Sequence, residues 1–186
     1  MFEPAIENDP SLAQLSQKEL LDKTLTLETT LDLEYTSWVM MEALRICPPI
    51  FSPSMMVCKK AIKIGNYNFE AGDTININIT ALHHNPAEWQ RPMEFLPERF
   101  DLSNELSLTP CGKKRSTFSF GAFHGGNRVC FGKTLGEANA KTATAYMAEK
   151  FDMKFEDPKY ETQLPMAQMD QSSVPSVWVK LTERKR

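Results

Sequence analysis

The sequence predicts an α+β fold in which helices combine with small β-sheets and an ordered, proline-rich meander. Three observations support this prediction: an apolar helical stretch ends at Pro48 and Pro49, short runs between residues 61 and 80 alternate at the period of a strand, and a long alanine-rich helix follows a glycine-rich loop. The chain has 186 residues, of which 41% are hydrophobic, so it can bury a sizeable core. Its net charge of −3 favours neither nucleic acid nor an anionic membrane surface as a partner.

The cysteines and the apolar runs bear on the compartment. The sequence contains Cys47, Cys58, Cys111 and Cys130, without a CxxC pair, which predicts free thiols on the reducing side of the cell. The first residues show neither the basic start nor the apolar run of a signal peptide. No stretch approaches the roughly 20 apolar residues that a membrane helix needs, so we expect no membrane segment in this chain.

Composition divides the chain into two regions. Residues 1–30 form a polar lead-in, which we expect to be the truncated end of a preceding helical region. It contains one short helix candidate at residues 11–25, with Ser11 or Ser16 as its cap. Residues 31–186 carry all the stronger patterns and form the second region.

Residues 31–46 predict a helix that is apolar over most of its circumference and therefore buried. Glu42 and Arg45 lie three positions apart on the face that also carries Trp38, so we expect an ion pair away from water. The alternative is an ordinary surface pair, which stabilises a helix by only ~0.2–0.5 kcal/mol. A buried pair needs further hydrogen-bonding partners, because it is otherwise destabilising.

The remaining elements follow in order. Residues 61–69 predict a hairpin that turns at Gly65 and Asn66, and residues 74–80 alternate strictly and predict a further strand. Residues 83–100, with three prolines and three aromatic side chains, predict an ordered meander packed on the first helix. A long helix follows Cys130, and its small residues predict a close contact with a neighbour: Gly136, Ala140 and Ala143. Two strand candidates separated by a polar loop end the chain.

The stretch FSFGAFHGGNRVCFGKT, residues 118–134, gathers four of the eight glycines of the chain around Cys130. Its GKT ending resembles that of a phosphate-binding loop, but Asn127 stands where the earlier glycine is required and no apolar strand precedes it. A zinc site is a weaker alternative, because the cysteines and His83, His84 and His124 lack paired ligand spacing. The simplest alternative is that Cys130 is a small buried apolar residue.

The local chemistry favours a ligand role for Cys130. It precedes a helix amino terminus, where the dipole and unpaired N–H groups favour the thiolate, the form that binds metals. Arg128 is placed to pair with an acidic group of a ligand, and Phe123 is placed to cover the sulfur. A flat cofactor with an iron centre and acidic edges uses all three residues.

These residues carry a family resemblance. The run from Phe123 to Gly132 resembles the FxxGxRxCxG haem-binding signature of cytochrome P450, the haem-thiolate monooxygenases. Glu42 and Arg45, followed by Pro48, resemble the ExxR helix of that family, and residues 95–100 (FLPERF) resemble its PERF element. The resemblance covers most of residues 31–186 and implies the proximal half of the cytochrome P450 fold.

The resemblance implies a role for each matching residue. Cys130 would be the axial ligand of the iron in haem b (iron protoporphyrin IX), and its thiolate would favour O–O cleavage. Arg128 would hold a haem propionate, Phe123 would shield the sulfur, and backbone N–H groups near Phe131 and Gly132 would hydrogen-bond it. The fold-supporting residues would be an interlocked set: Glu42, Arg45 and Arg99.

The implied activity is insertion of one oxygen atom of O2 into a small organic substrate, with electrons from an NADPH-dependent reductase or another donor. The basic run at residues 113–115 would face that donor. The segments that supply the distal wall and the proton-delivering helix have no counterpart here, and residues 28–30 (ETT) do not replace them, so no catalytic residue is assigned. We therefore expect weak or no stable haem retention and exposed apolar surface. The alternative is a non-catalytic, truncated haem-binding or interaction fragment. An anchor in a preceding part would place the protein at the endoplasmic reticulum surface.

Overall fold

The structure is a computed structural model that describes residues 7–26, 29, 32–50, 55–161 and 177–184. Within these ranges the helices are α1 (Gln17–Thr24), α2 (Glu34–Ile46), α3 (Ile79–His83) and α4 (Lys133–Lys150). The strands are β1 (Met56–Val57), β2 (Ile62–Ile64), β3 (Tyr67–Phe69), β4 (Thr74–Ile75), β5 (Phe151–Phe155) and β6 (Val179–Glu183). Short 3₁₀ turns connect them along the meander and the cysteine loop.

The lead-in forms the predicted short helix as α1, preceded by a 3₁₀ turn at Pro10–Gln14. Asp9 caps the turn by accepting from the Ser11 N–H. Ser16 caps α1 in a reciprocal box, because its N–H donates to Glu19 Oε2 at 3.0 Å and the Glu19 N–H donates to Ser16 Oγ at 3.4 Å. Leu12 and Leu20 form a small apolar cluster beside these caps.

Helix α2 begins at Glu34, later than predicted, and ends at Ile46 just before the double proline. The expectation of a fully buried helix is wrong in its details. Its buried side chains are Glu42, Arg45 and Ile46, while Tyr35 is 55% exposed and most other apolar residues are half-buried. The charged pair, together with Ile46, faces the interior of the described chain.

The described strands form three two-stranded antiparallel sheets: β1 with β4, β2 with β3, and β5 with β6. The predicted hairpin is confirmed as β2 and β3, with Gly65 at a φ of 58° in the turn. The predicted strand at residues 74–80 is wrong beyond Ile75. Asn78 Oδ1 accepts from the Ala81 N–H at 2.8 Å and starts helix α3, which buries Ile79.

The meander is ordered, as predicted, and is built from turns that include the 3₁₀ segment Pro97–Phe100. Trp89 lies at its centre and is 1% exposed. Aromatic rings follow one another from Trp89 onward. The ring centroids are 6.0 Å apart between Trp89 and Phe100, 5.5 Å between Phe100 and Phe120, and 5.0 Å between Phe120 and His83. This chain of rings joins the meander to helix α3 and to the segment before the cysteine loop.

Helix α4 confirms the long helix predicted after Cys130, and it packs on α2. Its buried residues are Ala138, Lys141 and Ala145, so the predicted small-residue contact face is wrong. Gly136 is exposed, and a Cβ added there meets nothing within 4 Å. The packing face lies about two positions away from the stripe, which is roughly half a turn of an α-helix.

Strands β5 and β6 confirm the terminal strand candidates. The Arg184 N–H donates to the Lys150 carbonyl and extends their ladder toward α4. Across the parts of the chain that the structure describes, no helix combines the length and the apolar character needed to cross a membrane.

Candidate functional site

Two neighbouring parts of the molecule hold the candidate residues. The first is a buried group that we call the meander cluster: Glu42, Arg45, Trp89, Arg99 and Arg115. The second is the cysteine loop, residues 123–130, together with the groove beside it.

The Glu42 carboxylate is the centre of the meander cluster. Arg45 donates to it twice, from Nε to Oε2 at 2.8 Å and from Nη2 to Oε1 at 2.9 Å. Arg99 Nε donates to Oε1 at 2.9 Å, and so does the Leu96 N–H at 2.9 Å. The side chains of Glu42, Arg45 and Arg99 are all 0% exposed. The structure thus brings together the three residues that the sequence placed in one network.

Two guanidinium groups face one carboxylate, so the cluster needs further acceptors. The carbonyls of the meander supply them. Arg45 Nη1 donates to the Pro92 carbonyl at 2.7 Å and to the His83 carbonyl at 3.0 Å. Arg99 Nη1 donates to the Gln90 carbonyl at 2.7 Å, and its Nη2 to the carbonyls of Arg91 and Glu94. Each arginine therefore fastens backbone of the meander to helix α2.

Arg115 belongs to the same cluster, which the sequence did not predict. Its Nη1 donates to the Leu106 carbonyl at 2.8 Å and its Nη2 donates to the Arg99 carbonyl. Its guanidinium carbon lies 4.2 Å from the centroid of the Trp89 ring, which Arg45 and Arg99 also approach, at 5.2 and 6.0 Å. Burial, followed by the charge of Arg99, lowers the pKa of Arg115 to about 10.

The inward position of Arg115 corrects the interpretation of the basic run. Lys113 and Lys114 are exposed, but Arg115 is half-buried and occupied with backbone carbonyls. The run is therefore not one continuous basic patch. A clue in the sequence was available, because Arg alone among basic side chains carries the planar fork that suits several carbonyls at once.

The cysteine loop is closed by its own backbone. The Cys130 N–H donates to the Phe123 carbonyl at 2.8 Å, and the Val129 N–H donates to the Gly126 carbonyl at 3.2 Å. Two residues have left-handed backbone, Gly126 at a φ of 60° and His124 at 61°. His is among the residues that tolerate this conformation. The loop thus presents Cys130 in a fixed turn directly before helix α4.

The chain leaves the predicted ligand residues accessible. Cys130 and Arg128 are exposed, and Phe131 is fully exposed. A Cβ added at Gly132 would lie 3.9 Å from the Cys130 sulfur, so the thiol sits beside this glycine. Phe123 is half-buried, and its ring faces the ammonium of Lys133 at 5.7 Å. Cys130 is therefore not the buried apolar residue of the simplest alternative.

A groove of about 620 Å³ lies beside the loop. Its lining is mostly apolar, and its polar edge includes Arg128, Asn127 and His124. The apolar lining residues are Met56, Ile77, Ile79, Leu82, Phe118 and Phe120. The lining contains neither Cys130 nor Phe123, so the structure places Arg128 at the groove but leaves the thiol outside it.

Two further basic residues, Lys59 and Lys60, lie away from the groove beside the cysteine loop. They line a second apolar groove of about 540 Å³ between the sheets, with Ile62, Ile64 and Ile75. Arg128 is therefore the basic residue that lines the groove beside the cysteine loop.

These features fit haem and do not fit a metal held by several side chains. Among the described residues, no three His, Cys, Asp or Glu side chains lie close enough to hold a metal ion. Haem brings its own nitrogen ligands and needs one soft axial donor, an apolar surface and a cation for its carboxylates. Cys130, the groove lining and Arg128 are groups of these three kinds.

The family model described as Cytochrome P450 matches residues 12–177. The chain belongs to the cytochrome P450 family. The resemblance carried by the cysteine loop, the ExxR helix and the PERF element is thereby confirmed, and so is the assignment to part of an α+β cytochrome P450 fold. This family comprises haem-iron oxidoreductases with monooxygenase chemistry.

Individual relatives agree with the family model. The chain is 33% identical to Cytochrome P450 3A7 of Homo sapiens over 163 residues, which are 84% of this chain and 30% of that protein. It is 30% identical to (+)-vincadifformine 19-hydroxylase of Catharanthus roseus, over 80% of this chain and 29% of that enzyme. The chain thus spans less than a third of the length of the curated relatives it matches.

Solved structures support the fold. The retinoic acid-bound cyanobacterial CYP120A1 superposes with a TM-score of 0.71 at 23% identity, covering 97% of this chain and 38% of that one. The cytochrome P450DA heme domain gives a TM-score of 0.68 at 26% identity, covering 86% of this chain and 33% of that domain.

The sequence did not single out several side chains that support the site. The sequence indicates His83 only as a weak zinc candidate, yet the residue is 0% exposed and contacts both α2 and the segment before the cysteine loop. The sequence indicates Trp89 only as one aromatic residue of the meander. No pattern of spacing distinguishes these residues, because their contacts span up to 38 positions of sequence.

Proposed function

We propose that this chain supplies the thiolate-ligand side of a cytochrome P450 monooxygenase, with Cys130 as the axial ligand of haem b. The observation that carries the proposal is the exposed Cys130 in a closed loop, directly before helix α4, in a chain that the family model matches over residues 12–177. When bound, haem supplies the reductive activation of O2.

The residues of the chain would divide the work of holding that group. The Cys130 sulfur would coordinate the iron, and the N–H groups of Phe131 and Gly132 would hydrogen-bond the sulfur and tune its electron donation. Arg128, at the edge of the apolar groove, would pair with a propionate. Phe123, whose carbonyl accepts from the Cys130 N–H, would keep water from the sulfur.

Glu42, Arg45 and Arg99 would support the fold and take no part in the chemistry. Their buried bonds fix the meander on α2, and the meander leads through the Arg115 contacts into the segment that carries the cysteine loop. The proposal assigns no catalytic residue to this chain, because the motifs that the chain matches supply only haem-holding and fold-supporting residues.

The proposed reaction inserts one oxygen atom of O2 into a small organic substrate, with electrons from an NADPH-dependent reductase or another donor. The name of (+)-vincadifformine 19-hydroxylase describes such a hydroxylation by one relative. The exposed Lys113 and Lys114 would contribute to the donor-facing surface, without Arg115.

A second candidate function is a non-catalytic haem-binding or interaction role. It is favoured by the large apolar side chains that the described chain leaves exposed, among them Phe118 at 73% and Phe131 at 105%. The two candidates share the Cys130 ligand and differ in turnover.

The first test is a haem titration of the full chain, followed by Soret absorption, with matched cysteine variants. Cys111 is exposed like Cys130 but lies outside the loop, so Cys111→Ala is the control for Cys130→Ala. We expect Cys130→Ala to weaken haem binding at least about tenfold and Cys111→Ala to leave it unchanged. Equal binding by all three proteins would contradict ligation by Cys130.

Turnover separates the two candidates. The haem-loaded chain would be supplied with ¹⁸O2, NADPH, a reductase and a panel of apolar organic substrates, and the products analysed by mass spectrometry. Incorporation of one ¹⁸O atom supports the monooxygenase. Haem binding without any labelled product supports the non-catalytic role.

A further inference from the structure

His83 joins two parts of the proposed site that are distant in sequence. It ends helix α3, its imidazole is completely buried, and it stacks on Phe120 with 5.0 Å between the ring centroids and 10° between the planes. One ring nitrogen contacts the carboxy-terminal end of α2, and the other contacts the backbone that leads into the cysteine loop.

The contacts define the protonation state of the ring. The Gly121 N–H donates to His83 Nε2 at 2.9 Å, so Nε2 is an acceptor and carries no proton. His83 Nδ1 lies 3.1 Å from the Arg45 carbonyl, which is an acceptor only, so Nδ1 carries the proton and donates. The ring is thus the neutral Nδ1–H tautomer, and both of its nitrogens are satisfied.

The carbonyl that His83 reaches is one of the last of helix α2, where intrahelical partners are missing. The adjacent His84 contacts the next one, with Nε2 at 3.2 Å from the Ile46 carbonyl. Each histidine therefore places a ring nitrogen near one of the last carbonyls of α2. Only His83 also contacts the loop segment, which makes His84 a natural control.

Gly121 gives independent evidence that this backbone is fixed against α3. A Cβ added there would lie 3.1 Å from the Ile79 methyl and 3.2 Å from a Leu82 methyl, both closer than ordinary contacts. Glycine allows the backbone to approach α3 closely enough for its N–H to reach His83. The next turn continues the constraint, because the His124 N–H donates to the Gly121 carbonyl at 2.9 Å.

We propose that His83 is a positioning residue. In its neutral Nδ1–H form it holds the backbone at Gly121, just before the cysteine loop, against the end of helix α2. This contact ties the start of the cysteine loop to the meander cluster, because Arg45 donates to the His83 carbonyl while His83 donates to the Arg45 carbonyl. The proposal rests on the proposed haem site only for its functional consequence.

The electrostatic surroundings support the neutral ring. Burial lowers the pKa of His83 to about 4, and the charges of Arg45 and His84 act in the same direction. The loop side contributes the Gly121 N–H and the Phe120 ring, neither of which is charged. A protonated ring would direct a second donor at the Gly121 N–H and lose that bond.

The direct test is a long-range ¹H–¹⁵N NMR spectrum of the full, haem-free chain at neutral pH, which identifies the ring nitrogen that carries the proton. We expect the proton of His83 on Nδ1, with Nε2 unprotonated. A proton on Nε2, or on both nitrogens, would overturn the proposal, whatever the outcome of haem binding.

Two variants test the contact with the loop. In His83→Gln the terminal amide takes the place of Nε2 and can accept from Gly121, whereas the shorter His83→Asn can reach only the Arg45 carbonyl. We expect hydrogen exchange of the Gly121 N–H to rise about tenfold in His83→Asn and to stay near wild type in His83→Gln and in the control His84→Asn. Equal exchange in His83→Asn and His84→Asn would contradict the role.

The functional consequence is measured on the haem-loaded variants by the Soret band of the reduced, carbon monoxide-bound form. We expect His83→Asn to lose most of the strongly red-shifted, thiolate-type band and His83→Gln to keep most of it. A wild-type chain without that band would refute the proposed haem site while leaving the NMR and exchange tests valid. A wild-type band retained equally by both variants would refute only the positioning role.

Discussion

The meander cluster and the cysteine loop are neighbours with opposite physical character. In the cluster, the side chains of Glu42, Arg45 and Arg99 are completely buried, and nearly every donor reaches a carboxylate or carbonyl oxygen. In the loop and its groove, apolar side chains and the Cys130 thiol are exposed. The described chain is therefore held together by a dense polar network, and it presents apolar side chains and the Cys130 thiol outward.

The contrast explains why the cluster can act as a support. A buried ion pair contributes stability only when its remaining hydrogen-bonding groups are satisfied. Here backbone carbonyls of the meander satisfy them, so each bond also fixes a turn that has little regular structure of its own. One atom departs from this pattern, since the described residues provide no acceptor for the buried Trp89 Nε1–H.

The largest expected effect comes from removing the only carboxylate of the cluster. Glu42→Gln would leave the Arg45 and Arg99 guanidinium groups buried without a counter-charge, so we expect the free energy of unfolding to fall by about 3–5 kcal/mol. Urea unfolding followed by circular dichroism measures this loss. The matched control is Glu105→Gln at an exposed position, and a similar small change in both variants would contradict the central role of Glu42.

Arg115→Lys tests whether the cluster extends beyond the residues that the sequence connected. Lysine keeps the charge but cannot serve both the Leu106 and Arg99 carbonyls while lying flat on Trp89, so we expect a loss of about 1–3 kcal/mol. Lys114→Ala, in the exposed part of the same basic run, should change the free energy of unfolding by less than about 0.5 kcal/mol. If the two variants showed the same small change in the free energy of unfolding, the contacts of Arg115 would contribute no more than those of a surface lysine.

The pH dependence of stability tests the histidine that links the two regions. The pKa of His83 is about 4 in the folded chain and about 6.5 when the ring is free, so below about pH 6.5 the unfolded chain binds a proton that the folded chain does not. The contribution of the neutral His83 ring to stability is therefore fully present above about pH 6.5, and it falls by about 3 kcal/mol as the pH drops to about 4.

The measurement is urea unfolding of the wild type and of His83→Gln between about pH 7 and about pH 4. The variant lacks the titrating ring, so its free energy of unfolding should vary less over this range. Exposed carboxylates whose pKa is lowered by nearby hydroxyl and N–H donors, such as Asp9, lose their contribution only at lower pH. Parallel curves for the two proteins would show that His83 does not titrate as proposed.

The smallest effect concerns two glycines near the cysteine loop. Gly136 is exposed in helix α4 with open space around it, so Gly136→Ala should stabilise the chain by about 0.4–1 kcal/mol. Gly126 has a φ of 60°, so Gly126→Ala should destabilise it by about 1–2 kcal/mol. Thermal unfolding compares both with the wild type. If Gly136→Ala destabilised the chain, the result would support the close contact that the sequence predicted for that face and contradict the open space seen there.

Much of this architecture follows from local patterns in the sequence. The hairpin at Gly65 and the end of α2 before Pro48 each depend on a turn or a proline within a few residues, and the long helix after Cys130 follows from its alanine-rich composition. The motifs also brought Glu42, Arg45 and Arg99 together correctly. These predictions succeeded because a motif records contacts that its family has in common.

Other features depend on long-range packing and were missed. The alternation of residues 74–80 predicted a strand, but capping by Asn78 and burial of Ile79 favoured a helix. The orientation of Arg115 depends on Trp89, which lies 26 positions away, and the role of His83 depends on contacts with α2 and Gly121. Hydrophobic periodicity carries no information about such polar contacts between distant segments.

The central claim is that Cys130 ligates haem iron as a thiolate, and the absorption spectrum of the reduced, carbon monoxide-bound chain tests it most directly. The spectrum would be recorded at saturating haem for the wild type, Cys130→Ala and the exposed-cysteine control Cys111→Ala. We predict a strongly red-shifted Soret band in the wild type and in Cys111→Ala that is absent in Cys130→Ala. The same band position in all three proteins, or no red-shifted band in the wild type, would contradict the claim.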